Sequence, residues 1–265
     1  MFRVIVCVKA VPDPKEADRI RIDPATKALT RQDIPLVPNP LDRNAMEAAV
    51  QMKEQSEAHI SVLSMGPPAA GNIVRECLAL GGDEGFLVSD RAFAAADAYA
   101  TAFTLAKAID KIGLPDLILC GRASSDGATE WVGPELAIML GLPVVTMVRE
   151  LVEYGDEWWQ VKADMEGGYR LMRVKLPAVL TVTRELNVPR KLGFSGIVKA
   201  RSKMITEWGL DDLGVGEQEV GLQGSPTIVS EMAALDSRRQ VEILRGTREE
   251  KAERLVAILA EAGVI

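Results

Sequence analysis

HISVLSMGPPAAGNIVRECLALGGDEGFLVSD (59–90) is the stretch whose reading decides the fold. It opens on HISVLSM (59–65), which reads as a short strand. Gly66 and Pro67 then fix a tight turn. AGNIVRECLAL (70–80) repeats apolar residues at helical spacing, and GFLVSD (85–90) returns to a strand. A strand, a helix and a strand in close succession form a parallel unit, because two adjacent parallel strands need a crossover between them.

Reading outward, the same alternation continues. FRVIVCV (2–8) and DLILCG (116–121) are buried strands. LDRNAMEAAVQMKEQ (41–55), announced by Asn39-Pro40, and AAADAYATAFTLAKAID (94–110) are helices. ATEWVGPELAIMLG (128–141) also reads as a helix, with Pro134 confined to its first turns. Apolar strands alternating with helices predict an α/β fold, a parallel sheet with helices on both faces.

From Val145 the pattern changes. VTMVRELVEYGDEWWQVKADMEGGYRLMRVKLPAVLTVTREL (145–186) holds three or four β-rich runs, parted by Tyr154-Gly155-Asp156 and Glu166-Gly167-Gly168. These predict antiparallel hairpin additions at the edge of the parallel sheet. A loop, a basic turn and a Gly/Asp-rich arm (209–226) follow, and TREEKAERLVAILAEAG (247–263) is an amphipathic helix opened by a Thr247/Glu250 capping box. The expected organisation is one α/β domain with its additions over 1–205 and an extended C-terminal arm with its helix over 206–265.

Composition narrows the function. With 48% hydrophobic and 26% charged residues among 265, a full core is expected. A net charge of −7 argues against nucleic acid as the main partner, although a basic stretch lies near 190–203. Cys7, Cys77 and Cys120 are far apart in apolar runs, so they read as buried reduced thiols and not as a metal site. MFRVIVCVKAV is too short for a signal peptide or a span, and no later segment is long enough. A soluble cytoplasmic protein without direct membrane insertion is expected.

Familiar catalytic patterns are missing. His59 is the single histidine, and at the start of a buried strand it reads as structural. No G-x-S-x-G, H-E-x-x-H or phosphate-loop sequence occurs. VKAVPDP (8–14) follows the first strand without a glycine, so it cannot make a dinucleotide pyrophosphate turn. What remains is a crevice at the carboxyl ends of the strands, where ligands of open α/β sheets bind. The loops Lys9–Pro14, Pro38–Asp42, Ser64–Pro68 and Gly121–Gly133 converge there, with Met65 facing in. GRASSDGATEWVG (121–133) is hydroxyl-rich and ends at a helix start. Its backbone N–H groups, aided by Ser124, Ser125 and Thr129, suit a phosphate, while a plain polar loop with a helix cap is the alternative.

These loops resemble those of electron-transfer flavoprotein β (small) subunits. The resemblance rests on V-x-V-K-x-V-P-D at 6–13, N-P-L-D at 39–42, S-M-G-P-P at 64–68 and G-R-x-x-x-D-G-x-T-x-x-V-G-P at 121–134. It continues through VKADMEGGYRLMRVKLPAVLT (161–181) and LNVPR (186–190). It implies a Rossmann-like, adenine-nucleotide-binding fold and a heterodimer with a larger α subunit, which the C-terminal arm and helix wrap. It also implies FAD as redox carrier, and either AMP or a second FAD in the β-subunit crevice. Electrons then pass between an acyl-CoA or other dehydrogenase and an acceptor, with NADH and ferredoxin or flavodoxin in electron-bifurcating members. The chain is then a carrier subunit without acid/base residues of its own. An AMP-sensing or ATP-using (adenylating) protein of the same fold is the alternative.

Carried over by position, the nucleotide contacts fall on Cys7, Lys9, Asn39, Pro40, Leu41, Asp42, Met65 and Gly66. The loop adds Arg122, Ser124, Ser125, Asp126, Gly127, Ala128, Thr129, Trp131 and Val132. The FAD-binding branch usually reads D-G-D-T-A-Q-V-G-P, and here Ala128, Glu130 and Trp131 depart from it. Ala163 and Arg170 depart from the signature region as well. Glu130 beside a phosphate is unfavourable unless Arg122 compensates. The resemblance also makes LNVPRKLGFSGIVKARSK (186–203) the dehydrogenase-docking loop, with Phe194 as apolar anchor beside Leu192, Ile197 and Lys199.

Overall fold

A computed structural model describes residues 1–19, 21–22, 29–30, 34–155, 157–230 and 241–265. Asp156 of the expected first hairpin turn lies outside them. The chain divides into two compact units, Met1–Ser230 and Glu231–Ile265.

In the first unit the strands are β1 (Phe2–Cys7), β2 (Ala10–Pro12), β3 (Arg21–Ile22), β4 (Leu29–Thr30) and β5 (Leu36–Pro38). They are followed by β6 (Ala58–Met65), β7 (Glu84–Val88), β8 (Leu117–Gly121), β9 (Val144–Tyr154), β10 (Trp158–Met165), β11 (Gly168–Lys175), β12 (Ala178–Val182) and β13 (Ile205–Trp208). The helices are α1 (Pro40–Gln55), α2 (Gly71–Leu80), α3 (Ala98–Ile112), α4 (Val132–Leu140), α5 (Phe194–Ala200) and α6 (Leu210–Leu213). In the second unit α7 (Arg248–Glu261) carries the expected capping box, Thr247 Oγ1 accepting from the Glu250 amide.

Nine strands form one sheet in the order β11-β10-β9-β12-β8-β1-β6-β7-β13. From β9 to β13 every pairing is parallel, while β10 is antiparallel to both β9 and β11. The helices cover both faces. Met46 and Val50 of α1 and Val74 and Leu78 of α2 pack on Val4, Val6, Ile60 and Val62. Leu105 and Ile109 of α3 and Leu136 of α4 pack on Ile5, Leu63 and Ile118 opposite. Because β1 and β6 are buried on both sides, they carry the apolar runs that made them legible.

The helices begin where local chemistry starts them. Pro40 sets the first turn of α1, where its missing N–H costs nothing. The helix expected from residue 94 begins at Ala98, because Asp97 caps it, its Oδ1 accepting from the Ala100 amide at 3.0 Å. Pro134 is the third residue of α4, within the first turn.

Two placements differ from the expectation. The run 145–186 is not wholly an edge addition, since β12 enters the sheet between β8 and β9, parallel to both. Every residue of β12 is buried, which an interior strand requires. Only β10 and β11 form the antiparallel extension. The expected boundary at 205 falls inside the first unit, because β13 pairs with β7. Residues 209–227 then lie against the start of α3. Val220 is buried there, Gly221 (φ +56°) has no room for a Cβ against the Ala92 carbonyl, and Thr227 Oγ1 donates to Asp97 at 2.7 Å. Among the described residues no helix is long and apolar enough to cross a membrane.

Candidate functional site

The chain runs from β1 to β6 and β7 on one side, then crosses back to place β8 on the other side of β1. The carboxyl ends of β1 and β8 therefore flank the point where the winding reverses, the place an open α/β sheet offers a ligand. Three of the four expected segments meet there, tied by hydrogen bonds into one rim.

The first tie is Asp42, in the first turn of α1 and 5% exposed. Its Oδ2 accepts from the Lys9 amide at 2.8 Å and its Oδ1 from the Gly121 amide at 2.9 Å. Burial pushes its pKa up to about 6, against the pull of those N–H groups and of Asn39. The second tie is Asn39. Its Nδ2 donates to the Ala123 carbonyl at 2.9 Å, its Oδ1 accepts from the Ser125 amide at 3.0 Å, and its own amide donates to the Lys9 carbonyl at 2.9 Å. These side chains build the rim, and both are committed to backbone partners. Leu41 packs so close to Gly121 that a Cβ there would meet it at 2.7 Å.

Above the rim stands the loop 122–131. Lys9 Nζ reaches Asp126 Oδ1 at 2.7 Å and Ser124 Oγ at 3.4 Å, and Ser124 Oγ accepts from the Gly127 amide at 3.3 Å. Ala128 (φ +49°) and Glu130 (φ +63°) adopt left-handed conformations that cost a side-chain-bearing residue energy and gather at functional loops. Arg122 is held by its amide to the Val182 carbonyl at 2.9 Å, and its guanidinium pairs with Glu130 at 3.4 Å. That is the compensation for Glu130 that the sequence called for.

The expected residues thus fall into groups. Cys7, Lys9, Asn39, Asp42, Ser124, Ser125, Asp126 and Gly127 form one cluster at the ends of β1 and β8. Pro40 and Thr129 are exposed nearby, and Val132, the first residue of α4, packs against the core. Met65 and Gly66 end β6, on the other side of β1. Arg122 and the exposed Trp131 face a separate cleft of about 460 Å³, shared with Glu130, Glu135, Thr146, Met147 and Thr181. The last four were not singled out from sequence, although Thr181 was a polar residue in an apolar strand. Met147 (φ +57°) sits at the β9 irregularity and donates its amide to Thr181 Oγ1 at 3.1 Å.

All three cysteines are free and buried, and burial drives each thiol up, Cys7 to about 12. They are packing groups, inert as nucleophiles. His59 bridges carboxylates, with Glu84 at 3.1 Å, at the opposite end of the sheet. The donors at the rim, the Lys9 ammonium with the Ser124 and Ser125 hydroxyls, fit an anionic phosphate-bearing ligand. Lys9 already has the Asp126 carboxylate beside it, so a phosphate would enter a site of nearly balanced charge.

The 186–203 segment ends in helix α5 and is not all loop. Phe194, at its start, is 82% exposed, and Leu192 and Ile197 are also exposed.

Comparison with known proteins agrees with this architecture. The electron transfer flavoprotein domain model matches residues 26–213. The chain is 43% identical to an electron transfer flavoprotein subunit beta of Thermoanaerobacterium thermosaccharolyticum over 265 residues, 100% of both chains. It is 41% identical to a subunit of the caffeyl-CoA reductase-Etf complex of Acetobacterium woodii and 35% identical to the acryloyl-CoA reductase electron transfer subunit gamma of Anaerotignum propionicum, again over 100% of both chains. Matched by the family model over most of its length and by these relatives over all of it, the chain belongs to the electron transfer flavoproteins, as a beta-type subunit.

Proposed function

We propose that this chain pairs with a larger α subunit and carries electrons between a CoA-ester dehydrogenase or reductase and an acceptor. Its own crevice then holds a nucleotide-bearing cofactor, a second FAD in preference to AMP. The observation that supports this reading is the Asp42–Asn39 rim at the β1/β8 switch point, which ties Lys9, Ser124 and Ser125 together at the carboxyl ends of these strands. Two relatives of full length, named for caffeyl-CoA and acryloyl-CoA reductase systems, support the partner class.

The flavin supplies the redox chemistry when bound, and the protein supplies binding, orientation and field. Lys9 and the hydroxyls of Ser124 and Ser125 would hold phosphate, and Met65 would offer an apolar wall. Asp42 stays behind the rim, with both oxygens engaged. The exposed Phe194 is the anchor for the dehydrogenase, ringed by Lys191, Lys199 and Arg201, which steer an acidic partner patch.

The deciding measurement is cofactor stoichiometry in the denatured αβ heterodimer. Two FAD per heterodimer support the reading. One FAD and one AMP assign the crevice to AMP, and no nucleotide at all refutes a crevice site. NADH reduction of a two-FAD heterodimer would place it among electron-bifurcating members.

A further inference from the structure

We infer that Glu47 and Arg75 are positioning residues, which clamp the segment from Asn187 to Lys203 at both ends and present Phe194 already ordered for docking. This rests on the docking reading above.

The first clamp is on α1. Asn44 Nδ2 donates to the Asn187 carbonyl at 2.8 Å, and Asn187 Nδ2 returns a bond to the Asn44 carbonyl at 3.0 Å. One turn on, Glu47 is 5% exposed, a rare environment for a carboxylate. Its Oε2 accepts from the Arg190 amide at 3.1 Å and from Arg190 Nε at 2.8 Å, and its Oε1 accepts from Arg190 Nη2 at 3.0 Å. Gln51 adds a fourth donor at 2.9 Å. The guanidinium continues to Glu54 at 2.6 and 3.0 Å, and the two acids hold Arg190 charged. A buried carboxylate persists only when paired in this way, so the chain cannot leave this register without exposing a charge imbalance.

The second clamp is on α2. Arg75 Nη1 donates to the Ala200 carbonyl at 2.7 Å and to the Lys203 carbonyl. Lys203 Nζ reciprocates, reaching the Leu78 carbonyl at 3.1 Å and the Gly82 carbonyl. Between the clamps α5 lies so close to α2 that a Cβ on Gly196 would overlap the Ala79 carbonyl oxygen. Ala200 is buried at this contact.

A helix of seven residues is far too short to hold its shape alone. Its order comes from the clamps, and the clamped backbone carries Phe194 and Val188 outward, 82% and 88% exposed. An apolar anchor ordered before contact avoids the entropy cost that a floppy loop would meet at the interface. None of the clamp residues touches the nucleotide rim, so they act on docking through the segment they hold.

The test uses the αβ heterodimer, with an acyl-CoA dehydrogenase that exchanges electrons with the wild-type heterodimer as the probe. In Glu47→Ala and in Arg75→Ala, amides 187–203 should exchange hydrogen about tenfold faster or more, as for a locally unlatched element, while β1 and β8 keep their protection. The KM for the dehydrogenase should rise about tenfold with kcat within about twofold, the signature of weakened association. If Glu47→Ala does not fold, Glu47→Gln with Arg190→Gln removes both charges together and serves in its place. Unchanged exchange in 187–203 overturns the inference, and so does faster exchange with an unchanged KM. Phe194→Ala is run alongside. If that substitution leaves KM unaltered, the docking reading is wrong, and the positioning role falls with it.

Discussion

Asp42 and Gly121 share one volume: the carboxylate Oδ1 accepts the Gly121 amide at 2.9 Å, and a Cβ on residue 121 would lie 2.5 Å from that same oxygen. Gly121→Ala must therefore push the first turn of α1 off the end of β8. Overpacking of this kind costs about 1–3 kcal/mol. The variant heterodimer should lose most of the nucleotide held by this subunit and melt earlier. Full nucleotide content with an unchanged melting point would show that the rim does not shape the site.

Asp42 also gives the fold a pH signature. Burial lifts its pKa to about 6, above the value of an unfolded aspartate. An acid raised in the folded state contributes stability that is complete below the unfolded pKa and is lost as pH climbs through the folded one. Against an Asp42→Asn reference, wild-type stability should fall between pH 4 and pH 7, by up to about 3 kcal/mol. Denaturant unfolding of both heterodimers across that window measures the difference. A constant gap between the two would mean that Asp42 titrates normally.

Glu130 should oppose ligand binding. It occupies Arg122 at 3.4 Å and brings a negative charge to a loop suited to phosphate. Glu130→Gln frees the guanidinium, and since half-exposed ion pairs are weak, the gain should be up to about fivefold in AMP affinity. Calorimetric titration of nucleotide-stripped heterodimer with AMP would register it. Weaker binding in the variant would place the phosphate elsewhere.

Phe194→Ala should slow electron transfer with the dehydrogenase by about tenfold or more, as losing a hot-spot anchor does. Because Phe194 is 82% exposed, cofactor content and thermal stability should hold. Stopped-flow reduction of the flavin reads the rate. Unfolding of the variant would instead make Phe194 a packing residue.

The parallel half of the sheet was legible because strands such as β1 and β8 are buried on both faces and leave short, mostly apolar runs. The position of β12 was not legible. Periodicity gives a strand its faces but not its neighbours, and only the sheet shows it lying between β8 and β9. Residues 209–226 read as an extended arm because they are rich in Gly and Asp and thin in apolar residues. A few long-range contacts hold them, Thr227 on Asp97 and Val220 in the core among them. At the site, the rule of strand carboxyl ends found the loops. It could not show that Asn39 and Asp42 spend their polar groups on backbone, nor that Glu47, one polar residue on an ordinary helix, is buried under Arg190.

The insertion of β12 between β8 and β9 bears on how the chain is made. A growing polypeptide that has emerged only as far as the β11 strand has its parallel core split by a vacant slot, with two apolar strands facing each other across it. Residues 178–182 close that slot, and β13 completes the far edge of the sheet only after about twenty more residues. On the ribosome, the half-built sheet is therefore sticky until late in synthesis, and a pause before residue 178 would be the moment when chaperone capture or aggregation competes most strongly with folding.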